Sequence, residues 1–395
     1  MAGNQDVVIV GMARTAFGSF QGALSSLPAA KLGATAIEAA LKRAGVAPEQ
    51  VSEVILGNVL TAGEGQAPAR QAGIFAGIPK SVPAVTINKV CGSGMKAVMM
   101  GAQSIQLGES EVVVAGGMES MSNVPFLMQG ARTGFRMGHQ QMVDAMILDG
   151  LWDPYNNQHM GNCAELCAKE YAFTRQAQDE YATESFRRAQ EAQKAGKFAA
   201  EIVPVQIAGR KGDMTTVDSD EGPAKVQFDK IPTLKPVFDK AGTVTAANAS
   251  TINDGAAVLV LMSGEKAKAM GLKPLARVVS YAGHAQDPVW FTTAPAEAMR
   301  KAMKKAGWET STVDLFEVNE AFAVVAMAAQ KDLGIPSEKL NVWGGAISLG
   351  HPIGASGARI LITLLSALTD RGLKRGVASI CIGGGEATAV CLERT

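Results

Sequence analysis

Aromatic side chains are scarce. They make up 5% of the 395 residues, although 47% of the chain is hydrophobic. A core must then be built from small aliphatic side chains, and 43 glycines supply many tight turns. Net charge is missing as well. The 37 basic residues balance 37 acidic ones, so no basic field argues for nucleic acid or an anionic membrane surface. No uninterrupted apolar run reaches the ~18 residues of a membrane-spanning helix, and no membrane partner is expected. The start, Met1-Ala2-Gly3-Asn4-Gln5-Asp6, lacks the basic-then-apolar layout of a secretion signal. The end, Leu392-Glu393-Arg394-Thr395, matches no peroxisomal or endoplasmic-reticulum address. Five scattered cysteines make no disulfide framework. A reducing, cytoplasmic setting is therefore expected.

Several motifs are absent too. No G-x-x-x-x-G-K-[ST] and no strand-linked G-x-G-x-x-G occurs, which removes P-loop and nicotinamide readings. Ser93 and Ser356 sit near glycines but complete no G-x-S-x-G, which disfavours a serine hydrolase. Cys163 and Cys167 are four apart on an expected helix with no second ligand pair, so they read as core rather than zinc ligands. No metal is expected.

Strand–helix alternation is present instead. Strand Val7–Val10 precedes a helix over Ala29–Ala44, whose Leu32, Ile37, Ala40 and Leu41 share a face and which Gly45 stops. A strand at Val54–Val59, a strand before Cys91, a helix to Leu107 and a strand from Glu111 into Gly116-Gly117 follow. This alternation implies α/β architecture with mostly parallel sheets. The texture changes between Ser122 and Val244. A charged helix over Arg175–Ala195, a strand over Ile202–Ile207 and a polar loop over Arg210–Pro223 mark an inserted lobe. Residues 1–121 therefore form one half, completed by about 244–270. Residues 122–243 are the insertion and 271–395 the second half.

The second half echoes the first. Lys42-Arg43-Ala44-Gly45 returns as Lys304-Lys305-Ala306-Gly307. Strand, turn and helix around Cys91 return around His351, and Glu111–Ser120 returns as Ala378–Thr388. Equivalent turns of two similar halves would face each other across a pseudo-twofold. Cys91 lies in such a strand-to-helix turn, where unpaired helix N–H groups favour thiolate over thiol; a buried structural cysteine is the alternative. His351, in Gly350-His351-Pro352-Ile353-Gly354, supplies the imidazole that a thiol nucleophile needs. Two further strands end in Asn319-Glu320-Ala321-Phe322 and Cys381-Ile382-Gly383-Gly384-Gly385.

These four pieces, in this order and spacing, resemble the thiolase family over essentially the whole chain. The resemblance implies a duplicated five-layered αβαβα core with an inserted loop domain that covers coenzyme A, and a homotetramer. The tetramer would form through Ser122–Met142, which is similar to the family's tetramer-forming loop. It further implies reversible Claisen condensation of two acetyl-CoA to acetoacetyl-CoA plus CoA, by ping-pong catalysis through an acyl-cysteine. Cys91 would carry the acyl group, His351 take its proton, and Cys381 abstract the methyl proton of the second acetyl-CoA. His351 and a water held by Asn319 would face the enolate oxygen. Backbone N–H groups of Cys91 and Gly383 would face the tetrahedral oxyanion. The thioesters are substrates, so no cofactor is expected.

The resemblance also implies substrate contacts. Asn157-Gln158-His159-Met160-Gly161 is similar to the short-chain members, in which the His and Met line the pocket, and Phe291 falls where these narrow it. Ser250, in a loop with Ala249, would touch the pantetheine part, Lys230 would approach the nucleotide, and Phe322 belongs to the substrate-facing turn. Phe186 stands where potassium-binding relatives have tyrosine. A broader 3-ketoacyl-CoA thiolase of β-oxidation is the alternative within the family, and a catalytically silent acyl-CoA-binding protein the alternative outside catalysis. The four retained site residues disfavour the second.

Overall fold

A computed structural model describes residues 6–209 and 212–395; Arg210 and Lys211, at the head of the polar loop, lie outside them. The first half runs β1 (Val7–Thr15), α1 (Ala29–Ala44), β2 (Glu53–Gly57), α2 (Pro68–Phe75), β3 (Ala84–Ile87), α3 (Ser93–Leu107) and β4 (Val112–Ser120). The insertion carries α4 (Met160–Glu170) and α5 (Arg175–Lys194), and the chain rejoins the half on β5 (Asn253–Ser263). The second half runs β6 (Ala276–Ala285), α6 (Ala294–Ala306), β7 (Leu315–Val318), α7 (Ala323–Leu333), α8 (Ile353–Asp370), β8 (Arg375–Ile382) and β9 (Glu386–Arg394). Helix α1 has the expected limits. Its apolar stripe is buried, and Gly45 closes it at φ 68°, with Gly45 and Val46 N–H donating to the Lys42 and Leu41 carbonyls.

The strands follow the order β7-β8-β9-β6-β1-β5-β4-β2-β3. Strands β1 and β6 pair antiparallel, Val7 opposite Val278, and so join the two half-sheets. Helices α1 and α2 cover one outer face, α6 and α7 the other, and α3 and α8 pack against each other between the half-sheets. Those are the five expected layers. Helix α8 is long and apolar enough to cross a membrane, but it is 89% buried in this middle layer and carries the buried Arg359.

The sheet is mixed rather than mostly parallel. Pairs β2–β3, β2–β4 and β7–β8 are parallel, whereas β5 and β9 run antiparallel to both neighbours. The cause is visible in the second half, where β8 turns directly into β9 through Gly384 and Gly385, both at positive φ. In the first half the whole insertion occupies the equivalent turn between β4 and β5. Local pattern therefore hid the antiparallel partner of β4, which begins about 130 residues after β4 ends.

Four local expectations change as well. Strand β3 stops at Ile87, and Asn88–Gly92 form the turn. Strand β4 continues through Gly116 and Gly117 to Ser120. Before His351 the matching strand shrinks to one bridge, Leu340 to Phe316, followed by a single helical turn at Ala346–Leu349. In the insertion, the strand expected over Ile202–Ile207 is split at Pro204, and Val205–Ala208 pairs with Met214–Val217. The insertion is pinned to the core by Arg14, whose fully buried guanidinium grips both Asp220 oxygens at 2.7 and 2.8 Å and Glu201 at 3.3 Å.

Glycines set the approach of the two middle helices. A Cβ on Gly94 would sit 2.9 Å from Gly354 O and Ala358 N. No side chain fits there, so the first turn of α3 rests directly on the first turn of α8. Cys91 and His351 precede those turns, and the fold thereby brings the two N-termini together.

Candidate active site

Cys91 is held by a strained turn. Val90 has φ 45°, an outlier for a β-branched residue. Its N–H donates to Asn88 Oδ1 at 2.9 Å. The Ser93 hydroxyl fixes the same turn, accepting from Lys89 N–H at 2.8 Å and donating to the Val90 carbonyl at 2.7 Å. Cys91 lines a cavity of about 580 Å3. The backbone N–H groups of Gly383 and of Cys91 itself lie within hydrogen-bonding reach of its sulfur. Those donors come from opposite halves of the chain.

The thiol is nevertheless not acidified. Burial pushes Cys91 up from 9.0 to about 11, the two N–H groups offset only part of this, and Glu119 adds to the rise. The helix-terminus argument expected the reverse. Desolvation of a thiolate outweighs the partial charges of a helix end when the sulfur is walled in on all sides but the cavity. The resting nucleophile is a neutral thiol that needs a base.

His351 lines the same cavity. Its N–H donates to Asn253 Oδ1 at 3.0 Å, which ties the turn to the first residue of β5. Ring atom Nδ1 lies 2.6 Å from Ser356 Oγ, and that hydroxyl is 2.8 Å from the Pro352 carbonyl. With its single proton on Pro352, the hydroxyl accepts from Nδ1–H. That leaves Nε2 as the bare nitrogen, and it has no protein partner. Burial, with the Arg359 guanidinium adding to it, pushes His351 down to about 3. The imidazole is therefore neutral and able to receive a proton. Asn319 Nδ2 stands 3.5 Å from Nδ1, too far to compete with the serine, and Asn319 Oδ1 is buried without a partner.

Cys381 is almost fully buried at the end of β8. Burial, followed by the neighbouring Cys91, raises it well above the ordinary thiol value. Cys91, His351 and Gly383 line the cavity; Cys381 neighbours Cys91, and Asn319 neighbours His351.

Most expected substrate contacts converge on this cavity. His159, Met160, Ala249, Ser250, Phe291 and Phe322 all line it. His159 caps α4, its Nδ1 accepting the Gly161 N–H at 3.0 Å, so its proton is on Nε2; burial lowers its basicity. Lys230 is the exception. It borders an adjoining hollow of about 330 Å3 that shares Ser19, Ala246 and Thr251 with the main cavity. Cys163 and Cys167 are buried on α4, and Phe186 packs against Ala323 and Ile347.

Three contributors escaped the sequence reading. Phe238 stacks on His159 with ring centroids 4.6 Å apart; it sits in a proline-containing loop with no periodic signal. Ser356 orients His351; its four-residue spacing from Pro352 on a helix was the available clue. Buried Glu119 accepts from Val59, Leu60 and Gly354 N–H and from Asn58 Nδ2 at 2.8–3.1 Å. It thereby fastens the first half to the N-terminus of α8.

The chain is also similar to known proteins. Residues 7–265 match the thiolase N-terminal domain and residues 272–394 the thiolase C-terminal domain. The chain is 60% identical to acetyl-CoA acetyltransferase 2 of Arabidopsis thaliana over 98% of its length and 97% of that protein. It is 57% identical to acetyl-CoA acetyltransferase of Cupriavidus necator, over 98% and 99%. The crystal structure of the Bacillus anthracis acetyl-CoA acetyltransferase superposes with a TM-score of 0.98 at 43% identity, covering all of both chains. Two matching half-domains and full-length relatives place this chain in the thiolase family.

Proposed function

We propose that this protein is an acetyl-CoA C-acetyltransferase, condensing two acetyl-CoA to acetoacetyl-CoA and CoA and running the thiolysis in reverse. The observation that carries the reading is the meeting, in one cavity, of a neutral Cys91 thiol, two backbone N–H donors at its sulfur and the bare Nε2 of His351.

In the first half-reaction the Cys91 proton passes to His351 Nε2 as the sulfur attacks the thioester carbon. The developing oxyanion meets the N–H groups of Cys91 and Gly383, fixed donors that need no reorganisation. The C–S bond to coenzyme A then breaks; the departing coenzyme A thiolate takes the Cys381 proton, and His351 keeps the proton it received from Cys91. That leaves Cys381 a thiolate beside an uncharged acyl-Cys91. Cys381 can then act as thiolate base on the second acetyl-CoA. His351 and a water on the unpartnered Asn319 Oδ1 would stabilise the enolate oxygen. The enolate carbon attacks the Cys91 thioester, and the departing Cys91 thiolate recovers its proton from His351, while Cys381 keeps the methyl proton. Protons balance over the cycle.

His159, Met160, Phe291 and Phe322 would close the acyl end against long chains, and Ser250 and Ala249 would follow the pantetheine arm. Lys230, in the adjoining hollow, would meet the nucleotide end. The homotetramer is proposed on Ser122–Met142, where Phe126, Met128, Phe135, Met137 and Met142 are exposed. Thiolysis of 3-ketoacyl-CoAs of increasing chain length tests the assignment. A maximum at acetoacetyl-CoA supports it, and faster turnover of long chains contradicts it.

A further inference from the structure

The turn that carries the nucleophile and the turn that carries the second oxyanion donor belong to different halves of the chain, and the two interlock. A Cβ on Gly92 would collide with the Ile382 side chain, and Val90 Cγ1 lies 3.8 Å from where a Cβ of Gly383 would stand. At the outer end of this contact the Lys89 ammonium is paired with the Glu386 carboxylate. Lys89 is two residues before Cys91. Glu386 opens β9 directly opposite Ile382, three residues after Gly383.

We propose that the Lys89–Glu386 pair is a clasp between the two catalytic turns, setting the spacing of the Cys91 and Gly383 N–H groups that receive the oxyanion. Lys89 and Glu386 are positioning residues and touch no reacting atom; the inference rests on the acyl-cysteine reading above.

Two features support a positioning role over a general contribution to stability. The pair is only partly buried, with side-chain exposures of 27% and 38%, and pairs this exposed add little to folding. It also pulls on the most strained point of the site. Val90, held at φ 45°, must be fixed from both sides to stay there. The Asn88 and Ser93 hydrogen bonds fix the turn from within its own half. Among the described residues, Lys89–Glu386 is the ion pair linking that turn to the opposite half. Small displacements of oxyanion donors are costly because the charge they meet exists only in the transition state.

The test compares Lys89→Met, Glu386→Gln and the charge-reversed double variant Lys89→Glu/Glu386→Lys. The rate of Cys91 acetylation by acetyl-CoA in a single turnover is read together with KM and the apparent melting temperature. Each single variant is expected to slow acetylation about fivefold, the size such a pair can supply, with KM and melting temperature unchanged. The reversed pair is expected to recover to within about twofold, and raising ionic strength should slow the wild type towards the single variants. Single variants as fast as wild type, or a reversed pair no faster than its parents, would overturn the clasp. A wild type that forms no acetyl-enzyme would instead overturn the reading of Cys91 itself.

Discussion

His351 Nδ1 and Ser356 Oγ lie 2.6 Å apart across the first turn of α8. The serine hydroxyl spends its proton on the Pro352 carbonyl and so presents a lone pair to Nδ1–H. The ring is locked with Nε2 as its bare nitrogen, in a residue that lines the same cavity as Cys91. Ser356→Ala removes the lock without touching substrate. Acetylation is expected to slow by roughly tenfold, a modest part of what general base catalysis supplies, with KM for acetyl-CoA unchanged. Unaltered acetylation would remove Ser356 from this role.

The depressed basicity of His351 predicts a pH profile. Its value in the folded protein, about 3, lies below that of a free imidazole, roughly 6.5. Acetylation should therefore show no acid limb near pH 6.5. The linkage has a definite sign: between those two values the unfolded chain binds a proton that the native one does not. The stabilising contribution is complete above about 6.5 and is lost as pH falls towards 3. Acetylation rates and denaturant midpoints over this range check both statements.

Gly383 separates the needs of the fold from those of the ligand. A Cβ there would meet Met160 and Val90 at 3.6–3.8 Å, ordinary contact. Gly383→Ala should fold with an unchanged melting temperature. It should still raise KM or lower kcat about tenfold or more, because the methyl enters a cavity wall next to an oxyanion donor. Normal kinetics would show that the wall has slack.

Glu119→Gln attacks the other fastening. The carboxylate accepts four N–H groups, one of them from Gly354, whereas an amide must turn its NH2 toward at least one donor. A buried network broken in this way costs about 2–3 kcal/mol. A fall of several degrees in apparent melting temperature and a slower acetylation step are expected, both measurable on one preparation.

The chemistry of the site was more legible in the sequence than its electrostatics. Cys91, His351, Asn319 and Cys381 each follow or sit at a local signal, an apolar run breaking into a turn, whereas the crossing that Gly94 and Gly354 permit is visible only in the fold. Whether Cys91 is acidified depends on how completely the rest of the chain encloses it, which no turn motif records. The same holds for Ser356 and Glu119, whose partners are set by packing between halves. The antiparallel course of β5 was hidden for a topological reason, since the insertion replaces the short turn that makes β8–β9 plain. Lys230 was placed by family likeness alone, and the fold seats it in the neighbouring hollow.

The most direct measurement is mass spectrometry of the protein after brief exposure to acetyl-CoA and acid quenching. One added acetyl group is expected, located on the peptide containing Cys91 and absent from the Cys91→Ala variant. Acetyl transfer to another residue, or undiminished labelling of that variant, would contradict the assignment of Cys91 as the acyl carrier where the two halves meet.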